Sequence, residues 1–104
     1  MNRSHILSNF RTEFRRKGHS YKQEVTALSW IRRFLDEFDI EHDSQVRQWQ
    51  ADLFLSNIKQ RRVSFDDQLQ AKSSIIFLLR FVLRRLPADP DIETVGAGVI
   101  KITA

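Results

Sequence analysis

The residues able to do chemistry are few, and most of them are cationic. His5, His19 and His42 are scattered without ligand spacing, and the chain of 104 residues holds no cysteine. That excludes a thiolate zinc site, an iron–sulfur cluster, a cysteine nucleophile and a disulfide framework, and it leaves no metal or cofactor to expect. The single tyrosine, Tyr21, stands at a helix start, where packing is its default role. Asp66 and Asp67 are neighbours, and neighbours on a helix point about 100° apart, so they suit a helix N-terminus better than paired acid–base work. Gly96-Ala97-Gly98 lacks the third glycine and the following helix of a dinucleotide loop. No Ser/His/Asp set carries a local signature. The expectation is therefore no catalytic residue, no metal site and no enzyme.

Positive charge is what remains. Lys plus Arg number 17 against 13 Asp plus Glu, a net of +4. Its distribution is uneven: residues 1–37 carry +4, 38–60 carry −2, 61–86 carry +4 and 87–104 carry −2. Two basic blocks brought to one face form a footprint for phosphate, and scattered over the surface they are only a solvated exterior. Arg15-Arg16-Lys17 and Arg61-Arg62 each precede an amphipathic helix, whose first N–H groups and dipole attract anions. A basic cluster beside such a terminus is a candidate DNA clamp.

The elements that must position these groups are helices. Three glycines and two prolines leave few breaks, and 41% hydrophobic with 29% charged residues is globular composition for one domain with its own core. A first helix is expected over about residues 4–17, capped by Ser4, with Ile6, Leu7, Phe10 and Phe14 on one stripe and Gly18 as its stop. A second is expected over 21–38, where Ser20 and Gln23 have capping-box spacing. Its apolar face is Tyr21, Val25, Leu28, Ile31, Leu35 and Phe38, widened by Trp30 and Phe34, and the opposite stripe is Lys22, Thr26, Ser29 and Arg33. A third, over 45–60 with Asp43 or Ser44 as cap, buries Val46, Trp49, Leu53, Phe54 and Ile58. The fourth and longest, over 65–86, starts at Ser64 and Asp67, again with capping-box spacing. Its seam is Phe65, Leu69, Ile76, Leu79, Leu83 and Leu86, broadened by Ile75, Leu78 and Val82, with Lys72 on the same seam snorkelling outward and Phe77 and Phe81 on the far side.

Pro87 and Pro90 end the helices, which gives a helical domain over residues 1–90 and a tail over 91–104, read as a short strand or a disordered extension. The uncharged run 73–79 is too short to span a bilayer, and Arg11 and Glu13 interrupt the N-terminal stretch before any signal core forms. A cytoplasmic protein without membrane contact is expected.

Two stretches carry a family resemblance. His19-Ser-Tyr-Lys-Gln-Glu-Val-Thr-Ala-Leu-Ser-Trp-Ile-Arg-Arg-Phe-Leu resembles the first core-binding helix of integron-type tyrosine recombinases, with its Tyr/Ser-Thr-Glu start and aromatic–hydrophobic–basic–x–Phe pattern. The stretch from Arg61 through Gln70-Ala71 to Leu83 is similar to that family's long later helix, with its Gln-Ala and Val-Leu elements. The resemblance covers about residues 7–87. It implies an all-α, SAM-like orthogonal bundle of about four helices: the core-binding domain that grips one side of an attachment-site duplex while a separate domain cleaves the other. Carried over position by position, Ser20 and Lys22 match the groove-entering helix start, and Arg62, Ser64 and Gln70 match the second contact region. With the basic stripe and their neighbours, the DNA-facing set is His19, Ser20, Lys22, Thr26, Ser29, Arg33, Arg61, Arg62, Ser64, Gln70 and Lys72.

Departures from the pattern are Asp66 and Asp67, where the family usually has Ser and Thr, and Lys72, where it usually has Leu. The family's catalytic Arg, His-x-x-Arg and Tyr nucleophile have no counterpart here. The rival reading is a helical protein-interaction module or regulator derived from such a domain, without direct DNA contact; other integrase protomers are a further expected partner, met through Phe77, Phe81 or the tail. Exposure of those two rings favours it, and burial against the first helix favours a plain core.

Overall fold

Local capping chemistry starts and stops four helices, and tertiary packing decides which face of each turns inward. A computed structural model describes residues 1–85. Helix α1 spans Arg3–Arg16, α2 Tyr21–Glu37, α3 Gln48–Gln60 and α4 Phe65–Phe77. A 3-10 turn at Asp43–Gln45 precedes α3, and a π-helical segment at Leu78–Val82 continues α4. The described residues form no strand, only an isolated bridge between Asn2 and His42. The expected boundary at residue 90, the strand-or-tail alternative and the last residue of the fourth helix lie outside the described residues.

Helix α1 begins one residue before the sequence suggests, because Asn2 rather than Ser4 accepts the first free N–H, that of His5, at 2.9 Å. Ile6, Phe10 and Phe14 then line its buried side. At the other end Gly18 adopts φ +88°, its N–H donates to the Arg15 carbonyl, and that of His19 donates to Phe14.

Ser20 and Gln23 make both halves of the capping box on α2: Gln23 N–H donates to Ser20 Oγ at 3.2 Å, and Ser20 N–H donates to Gln23 Oε1 at 2.8 Å. The buried face differs from the expected one. Tyr21 and Val25 are exposed, and Glu24, Ala27, Leu28, Trp30, Ile31, Phe34 and Leu35 point inward. The first turn is rotated so that Glu24 meets the arginines of α1, which an inward Tyr21 and Val25 would prevent. The helix ends with Asp39 at φ +50° and with the N–H of buried Ile40 on the Leu35 carbonyl at 2.9 Å.

The expected third helix is two elements. Val46 lies between them in an extended conformation and is fully buried, which anchors the chain where a helix would have carried on. Trp49 and Leu53, expected in the core, are 58% and 43% exposed, while Gln50, Ala51, Phe54 and Ile58 face inward.

Ser64 caps α4 by accepting from Asp67 N–H at 3.1 Å. The seam is again rotated. Phe65 and Leu69 are exposed, Ile75, Leu78, Leu79 and Val82 are buried as the face predicts, and Ala71 and Ser74 join them. Lys72 is fully on the outside and does not snorkel from a seam. The small residues Ala71 and Ser74 let α4 lie close on its neighbours, which larger seam residues would not. Phe77 and Phe81 turn towards α1: Phe77 meets Phe10 and Phe14 at 5.2 and 5.1 Å between ring centres, and Phe81 lies behind it at 4.8 Å with its ring tilted by 46°. Burial of Phe77 against the first helix makes it part of the core, and Phe81 packs half-buried against that core. The fourth helix is not the longest α-helix, because its regular geometry ends at Phe77; α2, of 17 residues, is longer.

Candidate nucleic-acid interface

An open groove of about 420 Å³ separates the first half of α2 from the middle of α4. It unites His19, Lys22 and Thr26 of the first basic block with Gln70 of the second, and it adds Gln23 and Ser73. Phe14, Ala27 and Phe77 give it an apolar floor. No carboxylate lines it, and Lys22 is the one side chain there with a permanent charge. The His19 ring lies flat on Phe14, 3.9 Å away and 12° from parallel, so its outer face is open to the groove. Gln23 spends its oxygen on the helix cap, which leaves its NH₂ to donate outward. Ser73 escaped the sequence reading, although its place three residues after Gln70 puts it on the same side of α4.

Beside the groove, the stripe Lys22, Ser29 and Arg33 is exposed along α2, with Thr26 half-buried at the groove edge. The Arg33 guanidinium sits 4.4 Å over the Trp30 ring, which orients it by cation–π attraction. Arg32, missed by the sequence reading, is exposed next to it. Arg33 also shares a second, shallower groove of about 280 Å³ with Arg61, Asp36, Glu37 and Asn57. Of those acids, Asp36 pairs with Arg3, and Glu37 accepts from Asn57 Nδ2 at 3.1 Å.

The remaining expected residues are dispersed. Arg62 is exposed in the turn after α3 at φ +60°. Ser20 and Ser64 both act as helix caps. Lys72 does not enter the groove: two residues on from Gln70, it lies about 160° further round α4.

The cluster Arg15-Arg16-Lys17 is not a free clamp. Arg15 donates to the buried Glu24 carboxylate through Nε at 2.6 Å and through a second N–H at 3.1 Å, and Arg11 stands 3.5 Å from the same group. Arg16 pairs with Glu13 at 3.0 Å, and Lys17 lies over Phe81 at 4.4 Å. The Arg15 hydrogen bond holds the Glu24 carboxyl below the usual carboxylate range against the opposing pull of burial, and it raises Arg15 in turn. No spacing rule pairs residues 15 and 24, because the turn between the helices brings them together. Among the described residues no group of acidic and histidine side chains could hold a metal ion, and no helix is long and apolar enough to cross a membrane.

The family model of the phage integrase N-terminal SAM-like domain matches residues 6–88. No curated protein and no solved structure matches the chain.

Proposed function

Because the chain belongs to the phage integrase N-terminal SAM-like domain family, we propose that it grips duplex DNA of the attachment-site type as the non-catalytic, core-binding part of an integrase. Family membership points to a role in site-specific recombination. The observation that carries the finer reading is the carboxylate-free groove in which His19, Lys22 and Thr26 from α2 and its lead-in face Gln70 and Ser73 from α4.

The division of labour follows from the groups. Lys22 and the oriented Arg33 neutralise phosphates and set the register of the domain on the duplex. Gln70, Gln23, Thr26 and Ser73 offer the amide and hydroxyl hydrogen bonds that read base edges or sugars. Arg61 and Arg62 extend the contact along the backbone from the turn before α4. No step of strand cleavage is assigned to this chain, which has no His-x-x-Arg and whose one tyrosine sits in the first turn of α2.

Titration with an attachment-site duplex and a random duplex at two salt concentrations tests the reading. Affinity near the non-specific range, about 10⁻⁴ to 10⁻⁶ M, that falls steeply with salt is the expected result. No binding at low salt, or binding indifferent to salt, would rule it out. Incubation with a nicked attachment-site duplex should leave no covalent adduct on a denaturing gel.

A further inference from the structure

We propose that the outer face of α3 docks a cationic amphipathic helix of a protein partner, through a surface separate from the DNA groove. Trp49 and Leu53 stand one helical turn apart on that face, and both are exposed. The indole is not loose. Phe38 meets it edge-on at 5.7 Å, and Phe38 in turn rests on buried Phe34 at 5.6 Å. A large aromatic propped on the core yet open to water has the form of an interface anchor.

Charge identifies the partner. Asp52 lies beside Trp49 and Leu53 on the exposed side of α3, Glu37 is held on the other flank by Asn57 at 3.1 Å, and Asp39 adjoins Phe38. None of these three has a cationic partner among the described residues, whereas Glu13, Glu24, Asp36 and Glu41 each pair with an arginine. Arg33 and Arg61 line one groove with Glu37 and offset its charge, but the cations nearest Asp52 along α3 do not compensate it. Arg47 turns its guanidinium onto the Ser44 and Val46 carbonyls, and Lys59 lies six residues past Leu53, about 9 Å along the axis. An apolar ridge bordered by Asp52 and Asp39, neither of them in an ion pair among the described residues, repels phosphate. It complements a helix whose apolar stripe, spaced i and i+4, is bordered by Lys or Arg.

The test uses the whole chain, isotope-labelled, titrated with a Leu/Lys amphipathic peptide of about 14 residues and with the same peptide carrying Glu for every Lys. The expected result is that the Lys peptide moves the amide signals of α3 and binds at least about tenfold more tightly than the Glu peptide. Trp49→Ala, and separately Asp52→Lys, should each weaken it about tenfold with the helical circular dichroism unchanged. Leu53→Ser serves in place of any variant that does not fold. Equal binding of both peptides, no effect of the substitutions, or shifts centred on Lys22 and Gln70 would overturn the proposal. So would self-association of the protein abolished by Trp49→Ala, since the face would then belong to a second copy. Duplex DNA should leave the amides of Trp49, Asp52 and Leu53 in place, so loss of DNA binding and loss of peptide binding are read independently.

Discussion

Arg15 closes on Glu24 with two N–H donors, at 2.6 and 3.1 Å, around a carboxylate that is only 3% exposed. The pair joins the last turn of α1 to the first turn of α2. It thereby fixes the short turn that presents His19 and the helix start at Lys22. The cost of burying the carboxylate is offset by placing it against one guanidinium and near a second, that of Arg11.

Acid should dissolve this link. The folded-state pKa of Glu24 is depressed, with the Arg15 hydrogen bond as the main cause. Such a group contributes stability that is complete above its unfolded value, about 4.3, and that is lost as pH falls through the lower folded value. Glu24→Gln should therefore melt below the wild type at pH 7, and the gap should shrink as pH is lowered below about 4. Calorimetric melts across that range decide it. A gap independent of pH would mean that the ionised pair contributes nothing.

The inward face of α2 predicts a sharp contrast between two aromatic truncations. Phe34 is fully buried and meets Phe38 and Phe54 edge-on at 5.6 and 5.5 Å. Phe34→Ala should cost about 3–5 kcal/mol in urea unfolding. Tyr21 is 75% exposed, and Tyr21→Ala should change stability by no more than about 0.5 kcal/mol. A comparable loss at Tyr21 would restore the face expected from periodicity.

Arg62 occupies a left-handed conformation just after the C-terminal cap of α3, a position that favours glycine. A side chain there costs on the order of 1 kcal/mol. Arg62→Gly should leave unfolding free energy unchanged or raised, while it removes one cation from the proposed DNA face. Denaturant curves and DNA titrations on the same preparation separate the two effects, and a clear loss of stability would show that the Arg62 side chain makes a stabilising contact.

Three helix ends were legible because they rest on chemistry local in sequence. Ser20 with Gln23, Ser64 with Asp67 and the glycine after Lys17 each act within a few residues. Rotation about each axis was not legible. The apolar arc of α2 is broad enough to be read with Tyr21 and Val25 inward, and only the arginines of α1, brought near by folding, turn Glu24 in instead. On α4 the small pair Ala71 and Ser74 marks the packed face, and periodicity scoring large apolar residues passes over it. Of the eleven candidate residues, His19, Lys22, Thr26 and Gln70 line the groove. Lys72 does not, because it was assigned to the seam rather than placed by contact.

The last prediction concerns which cations meet phosphate. Lys22 and Arg33 lie on one exposed stripe of α2, and Arg62 lies in the turn that leads to α4. None of the three has an acidic partner within salt-bridge distance among the described residues. Arg16 is occupied by Glu13, and Arg47 by backbone carbonyls. Each phosphate contact releases condensed counterions, so its loss should lower the slope of log affinity against log salt by about 0.9. Lys22→Ala, Arg33→Ala and Arg62→Ala should each do so, and Arg16→Ala and Arg47→Ala should leave the slope within error. Gln70→Ala should behave differently from all five: no change in slope, with a selective loss on the attachment-site duplex, because a neutral amide reads bases without displacing ions. Equal slopes for Lys22→Ala and Arg47→Ala would mean that attraction is spread over the whole surface. The α2–α4 groove would then have no special part in binding, even if the domain still held DNA.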